Sequence, residues 1–405
     1  MTDPDAVAEL GIPIVGDDEA FLVELRAWLD EHLPTDPPPG DPTGRIAWLR
    51  AWQGTLAAGR WVAVGWPAAH RGRDATPIQQ LLYLTELGRR RAPMVIGQIG
   101  LNLCGPTIIA HGTSAQQARF LPPMRVGDEL WAQGFSEPDA GSDLAALRTR
   151  GVIDRGQLVI TGQKIWTTGA HIADWLFALV RTDPDAPRRD GISFVLVPLD
   201  VPGITVRPIR QISGDAEFNE VFLDEVRVPL DNVVGGLGNG WRVTRTTLAN
   251  ERAVLFMGQQ LALRRLVEQI IEASLAPGPD GRRAADDHDL RLRIARAWTR
   301  AQLVRVNGTR NLANVLAGGE PGPEGALSKL FGQEAEQDLH ELALDVGGLA
   351  ALLDRDAEEA HGGGKWALGW LRTRASTIGG GTSEIQRNIL AERVLGQPRD
   401  PWADS

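Results

Sequence analysis

The stretch QLVITGQKIWTT, residues 157–168, is rich in β-branched and aromatic side chains and reads as a β-strand. Four more of the same kind follow: ADWLFALVRT (173–182), GISFVLVPLD (191–200), GITVRPIR (203–210) and NEVFLDEVRV (219–228). Gly, Pro and Asp turns separate them, and no amphipathic run of helical length lies between. Strands without intervening helices point to an antiparallel sheet or barrel rather than alternating βαβ units. A middle β domain is expected over 129–237.

On either side the periodicity is helical. Phe21, Leu22, Leu25, Trp28 and Leu29 recur at helix spacing, and PPPG at 37–40 breaks the pattern. Thr76 followed by Pro77 and Gln79 is a helix start, and Ser114 with Gln117 has the spacing of a second capping box. After the strands, 242–274 lacks proline and can run unbroken. Residues 290–318 and 325–348 follow as helices, and 383–396 is expected to begin with a Ser383/Gln386 box and stop at Gly396. The fold class is therefore α+β multidomain: an all-α domain at 1–128, the β domain at 129–237 and a four-helix-bundle-like domain at 238–405.

A chain of 405 residues exceeds one small core and suits two or three packed units. Its net charge of −10 argues against nucleic acid or an anionic membrane as the main partner. Cys104 is the only cysteine, so an internal disulfide is impossible, and the seven His show no H-x-x-x-H spacing for a metal. The acidic first 20 residues do not read as a signal peptide, and no apolar run approaches the roughly 18 residues of a membrane helix. A cytoplasmic protein is the expectation. There is no P-loop, GGLGNG at 235–240 reads as a turn, and GFSEPDAG at 134–141 does not fit the nucleophile elbow G-x-S-x-G.

Three stretches offer chemistry. Ser136–Asp143 (SEPDAGSD) packs turn formers and hydroxyls after the strand WAQGF, able to present N–H and O–H groups to a polar ligand or to be an ordinary tight turn. Trp166, between a lysine and two threonines, reads as a buried strand residue suited to a flat heteroaromatic ligand, or as a core Trp among 13. IGGGTSEIQRN (378–388) leads three glycines into a helix start, a place for phosphate or a carbonyl oxygen, or a hinge.

Taken in order with RPIRQI (207–212), NEVFLDEVRVP (219–229) and GGGTSEIQRNILAERVLG (379–396), these stretches resemble the acyl-CoA dehydrogenase family over nearly the whole chain, HGTSAQQARFLPPM (111–124) included. The resemblance implies an FAD-dependent enzyme that desaturates an acyl-CoA thioester to the 2-enoyl-CoA and passes electrons to an electron-transfer flavoprotein. It implies flavin or substrate contacts at Phe135, Ser136 and Ser142, a flavin-facing pair at Trp166 and Thr168, and adenosine-side contacts at Thr382 and Glu384. Many members carry the base as a Glu before Gly-Thr; here that position is Gly380, whose N–H the resemblance assigns to the enolate oxygen. A second subset carries the base in a Glu-Arg pair on the first C-terminal helix, which implies Glu251 as base and Arg252 near the CoA end. Leu248, Val254 and Leu255 at helical spacing put Glu251 on a mainly apolar stripe, where desolvation strengthens a carboxylate base.

Two family patterns are altered here: 278–293 lacks an Arg-x-x-Phe-Gly stretch, and 344–356 reads LDVGGLAALLDRD. Such departures, with GRWVAVGWP (59–67), RTDPDAP (181–187) and GPEGALSKL (322–330), are similar to a bacterial subset acting on bulky or steroid side-chain CoA esters. They imply a homodimer or homotetramer, or a mixed α2β2 heterotetramer. A flavin monooxygenase or oxidase on the same fold, and a partner subunit of a mixed dehydrogenase, are the alternative readings.

Overall fold

The computed structural model describes residue 14 and residues 16–278, 281–316, 322–323, 325–355 and 357–399, the side chains at 251–258 and 315–316 excepted. The chain divides into two units, Val15–Glu251 and a second that begins at Arg252.

The first unit opens with helices α1 (Asp17–His32), α2 (Pro42–Ala58), α3 (Pro77–Arg89), α4 (Gly105–His111) and α5 (Ser114–Val126). Their starts follow local chemistry. Thr76 accepts the Gln79 N–H at 3.2 Å and Gln79 returns a bond at 3.1 Å, the expected box, with Pro77 in the first turn. The second box lies one residue earlier than expected. Thr113, extended after Gly112, caps α5 and pairs with Gln116, while Ser114 is already helical. Gln117 instead donates to the Ile109 and Gly112 carbonyls at the end of α4. Across the bundle, buried Glu86 of α3 meets Arg26 of α1 at 3.1 Å and Arg90 at 3.1 Å.

The strands are β1 (Trp131–Gly134), β2 (Arg150–Asp154), β3 (Gln157–Lys164), β4 (Trp175–Arg181), β5 (Ile192–Pro198), β6 (Ile204–Ile209), β7 (Phe218–Pro229) and β8 (Val233–Val234). They form one sheet in the order β6-β7-β3-β2-β4-β5-β8. Most ladders are antiparallel, but β4 pairs in parallel with β1 and, at Arg181, with β2. Because β5 runs along the whole of β4, β1 and β2 follow one another along its other edge.

β4 explains the layering. Its unbroken apolar run is buried on both faces, as a strand covered on two sides requires. Successive side chains point oppositely. Phe177 and Leu179 join the core shared with the helices, while Leu176, Ala178 and Val180 join a second core with Leu158 and Ile160 of β3 and Val221, Leu223, Val226 and Val228 of β7. The sheet thus curls so that its two halves face each other across the second core. GGLGNG is a turn, with Gly235, Gly236 and Gly238 at positive φ.

In the second unit, α6 (Gly240–Leu275) continues past Arg252 and is followed by α7 (His288–Leu316), α8 (Gly325–Gly347), α9 (Lys365–Thr373) and α10 (Ser383–Ile389). Leu263, Val267 and Ile270 of α6 share one core with Ala301 and Val304 of α7, Leu339 and Leu342 of α8 and Trp366 of α9. Here too the expected Ser383/Gln386 box is corrected: Thr382 is the cap, accepting the Ile385 N–H at 3.3 Å. Among the described residues, no helix is long and apolar enough to cross a membrane, and no cluster of His, Cys, Asp or Glu is placed to hold a metal ion.

Phe177 is fully buried and stacks on Phe194 at 5.8 Å, with Phe135 edge-on. Phe177→Ala is expected to cost about 3–5 kcal/mol, read as a lower urea midpoint of the near-UV circular dichroism transition. Val152→Ala, on an exposed strand position, is expected to change the stability by less than about 0.5 kcal/mol in the same measurement.

Candidate functional site

β3 ends on a buried cation. Leu158 and Ile160 point into the core, and the alternation of the strand carries Lys164 to the same interior side, where it is 0% exposed. An ammonium group so placed needs a paired and hydrogen-bonded anion. Glu137 supplies it: its Oε1 accepts from Lys164 Nζ at 2.7 Å and from the Thr149 N–H at 2.9 Å, and Oε2 accepts from the Arg148 N–H at 2.6 Å. Lys164 donates further to the Phe135 carbonyl at 3.3 Å. Burial works to raise the Glu137 carboxyl, but the Lys164 charge and these hydrogen bonds outweigh it and hold the group below its ordinary range. Burial pushes Lys164 down to about 8, against the pull of Glu137.

This pair fixes the loop at 136–149. Glu137 and Ala140 exchange main-chain bonds at 3.1 Å, Arg181 donates to the Ala145, Leu147 and Arg188 carbonyls, and Asp143 pairs with Arg188. What the loop leaves outward is Ser142, exposed, and Ser136, half-buried. Phe135 turns its ring into the core against Phe177 and Phe194, and its carbonyl accepts from Lys164.

Trp166 departs from the sequence expectation. It is neither in the strand nor buried: β3 stops at Lys164, and Trp166 sits in the following turn with φ 59° and 57% of its surface exposed. A left-handed conformation costs a residue without the freedom of glycine on the order of 1–3 kcal/mol. Its neighbours hold it there. The Ile165 N–H donates to the Ser136 carbonyl and the Thr167 N–H to the Asn219 carbonyl, both at 3.0 Å, while Phe218 meets the indole edge-on at 6.2 Å. Thr168 is exposed beside it, and Thr167 between them is buried with its hydroxyl unpartnered among the described residues. The structure therefore brings Ser136 and Trp166 together.

Gly380, Thr382 and Glu384 come together in the second unit. Gly380 (φ 66°) and Gly381 (φ 94°) are left-handed, so a side chain at either is strained. Thr382 caps α10, Gln386 donates to the Gly381 carbonyl at 3.4 Å, and the exposed Glu384 carboxyl is held low by its own N–H and the Thr382 hydroxyl. Glu251 and Arg252 fall within α6, and their side chains lie outside those described. The turns of α6 before them are tied to α4 by Thr107–Thr247 at 2.9 Å and His111–Thr246 at 2.7 Å. Sequence reasoning missed Glu137 and Asn219. A lysine at an interior strand position was the available signal for the first.

Glu137→Gln leaves Lys164 as an unpaired buried cation, expected to cost about 3–5 kcal/mol. A lysine whose folded pKa is depressed below its unfolded value gains relative stability as pH rises between the two. The deficit of Glu137→Gln against wild type is therefore expected to shrink from pH 7 to pH 9.5, measured by urea unfolding. A deficit independent of pH would refute it.

Models of the N-terminal, middle and C-terminal domains of acyl-CoA dehydrogenases match residues 16–128, 132–226 and 238–395. Acyl-CoA dehydrogenase IpdE1 of Mycobacterium tuberculosis is 42% identical over 391 residues, 95% of this chain and 99% of its own. The solved structure described as the Tcur3481-Tcur3483 steroid ACAD is 28% identical, with a TM-score of 0.84 over 96% of this chain and 100% of its own. The ChsE4-ChsE5 complex from Mycobacterium tuberculosis is 30% identical, with a TM-score of 0.81 over 96% of this chain and 100% of the matched one. With all three domain models matched in order and a relative of that identity aligned end to end, the chain belongs to the acyl-CoA dehydrogenase family.

Proposed function

We propose that the chain desaturates the α,β bond of a ring-bearing, steroid-derived acyl-CoA thioester, with FAD as cofactor and Glu251 as the base. The observation that carries the flavin reading is Trp166. An exposed indole held in a disfavoured backbone conformation, with Phe218 edge-on beside it, offers a flat heteroaromatic ring a face to lie on. Phe135, Ser136, Ser142 and Thr168 are assigned the flavin and substrate contacts. Thr382 and Glu384 are assigned to the adenosine side. When bound, FAD supplies the acceptor for the hydride that leaves the β carbon.

The protein's own part is proton removal and charge stabilisation. Glu251 takes the α-proton of the thioester. Its helical neighbour Leu248 is half-buried against the core of the first unit, and Val254 and Leu255 continue the apolar stripe in sequence. Desolvation by such neighbours makes a carboxylate a stronger base. The Gly380 N–H is assigned to the enolate oxygen and Arg252 to the CoA end. The left-handed backbone at Gly380 supports Glu251 over the alternative base position, because a Glu there would be strained. The all-α domain at 1–128, the β domain at 129–237 and the helical domain at 238–405 are the three domains, the last two are assigned to FAD, and an electron-transfer flavoprotein takes the electrons.

The steroid assignment rests on the Tcur3481-Tcur3483 structure described as a steroid ACAD, and the paired names of that structure and of the ChsE4-ChsE5 complex support assembly with a partner chain. So does α7. Ala297, Ala301 and Val304 face the core of the second unit, while Leu292, Leu303 and Val306 share the opposite side of the helix, 44%, 52% and 54% exposed.

Glu251→Gln is expected to retain bound FAD and to lose acyl-CoA-dependent anaerobic bleaching by about 10²–10⁴ in rate. Bleaching at the wild-type rate would remove Glu251 from the role, and a panel of straight-chain and ring-bearing thioesters on the wild type tests the substrate class. Leu303→Asp with Val306→Asp is expected to reduce the mass in light scattering to that of a smaller assembly. An unchanged mass would exclude this face.

A further inference from the structure

The turn that presents Trp166 is held by Asn219, which opens the stretch NEVFLDEVRVP and is not among the residues assigned a flavin contact. Asn219, the second residue of β7, is fully buried and meets Thr167 twice. Its carbonyl accepts the Thr167 N–H at 3.0 Å, and its side-chain Nδ2 donates to the Thr167 carbonyl at 2.9 Å. The same Nδ2 reaches the Glu217 carbonyl at 3.0 Å and His171 Nδ1 at 3.2 Å. Two carbonyl acceptors fix the orientation of the amide, because a flipped group would set oxygen against oxygen.

On the other side of Trp166, the Ile165 N–H is fastened to the Ser136 carbonyl. Trp166 is thus the single residue between two fastened peptides, and its left-handed φ of 59° is what closes the turn. Phe218, the neighbour of Asn219, meets the indole edge-on, so one dipeptide of β7 sets both the backbone and the ring. Asn219 Oδ1 and Thr167 Oγ1 are both buried without a hydrogen-bond partner among the described residues. Orphaned polar atoms beside a strained exposed residue mark a turn shaped for something other than folding.

We propose that Asn219 is a positioning residue for the flavin: its buried amide clamps Thr167 and thereby holds the Trp166 indole in the orientation that receives the isoalloxazine ring. The proposal rests on the flavin reading above and adds a residue that touches only the turn, not the cofactor.

Asn219→Asp keeps the size of the side chain but faces a carboxylate oxygen toward the Thr167 and Glu217 carbonyls. It is expected to weaken FAD binding about tenfold or more, measured by flavin fluorescence, and to change the visible circular dichroism of the bound flavin at saturating FAD. In a Trp166→Ala background the same substitution is expected to change FAD affinity less than about threefold, since the clamp then has nothing to present. Wild-type affinity and an unchanged flavin spectrum in Asn219→Asp overturn the proposal, as does a full, additive loss in the Trp166→Ala background. Should Asn219→Asp not fold, Asn219→Ser, which retains one donor, is judged by the same two readouts. A wild-type chain that takes up no FAD overturns the flavin reading and the clamp with it, whereas a wild type that binds FAD alongside an indifferent variant overturns the clamp alone.

Discussion

Much of the first unit depends on what it takes to bury the ammonium group of Lys164. The strand alternation that puts Leu158 and Ile160 inside puts Lys164 inside as well, and a cation there requires a carboxylate with its remaining lone pairs occupied. Glu137 meets that demand only if the Arg148 and Thr149 main chain approaches its two oxygens. The course of 136–149 and the end of β3 are therefore set by one ion pair. The turn bearing Trp166 begins at the next residue, with the Ile165 N–H on the Ser136 carbonyl.

Left-handed backbone occurs at both motifs that bear on the cofactor and substrate, with opposite meaning. At Gly380 and Gly381 it costs little, because glycine has no side chain to clash. At Trp166 it is unfavourable and survives because the neighbouring peptides are fastened on both sides. A conformation that glycine adopts freely is a matter of chain path. One imposed on an exposed tryptophan points to a ligand.

The helical and strand zones were legible because apolar spacing differs between the two geometries, and β4 was plain from composition alone. The helix caps at 113 and 382 lie one residue before the positions expected, for a specific reason. In Thr113-Ser114 and Thr382-Ser383 two hydroxyl residues follow a glycine, and either can cap in principle. The extended backbone of the threonine decides. Trp166 was assigned to a strand because β-branched composition continues through Thr168, while the strand itself ends where Lys164 must turn inward to Glu137. Asn219 opens a stretch that reads only as a strand, with nothing local to mark its amide as a clamp. Its partner Thr167 lies 52 residues away in sequence.

The sequence by itself determined the order of helical, strand and helical zones, the absence of an internal disulfide with Cys104 alone, and the motifs that place the chain among acyl-CoA dehydrogenases. Each of these depends on residue type or on spacing within a few turns or strand steps. The tertiary structure decided which polar groups are buried against which: Lys164 on Glu137, Asn219 on Thr167, and an indole left exposed where a core residue was expected. Spacing fixes the side of the backbone on which a residue falls. Only the folded chain brings distant residues to that side, and there the cost of an unpaired buried charge or amide selects the arrangement.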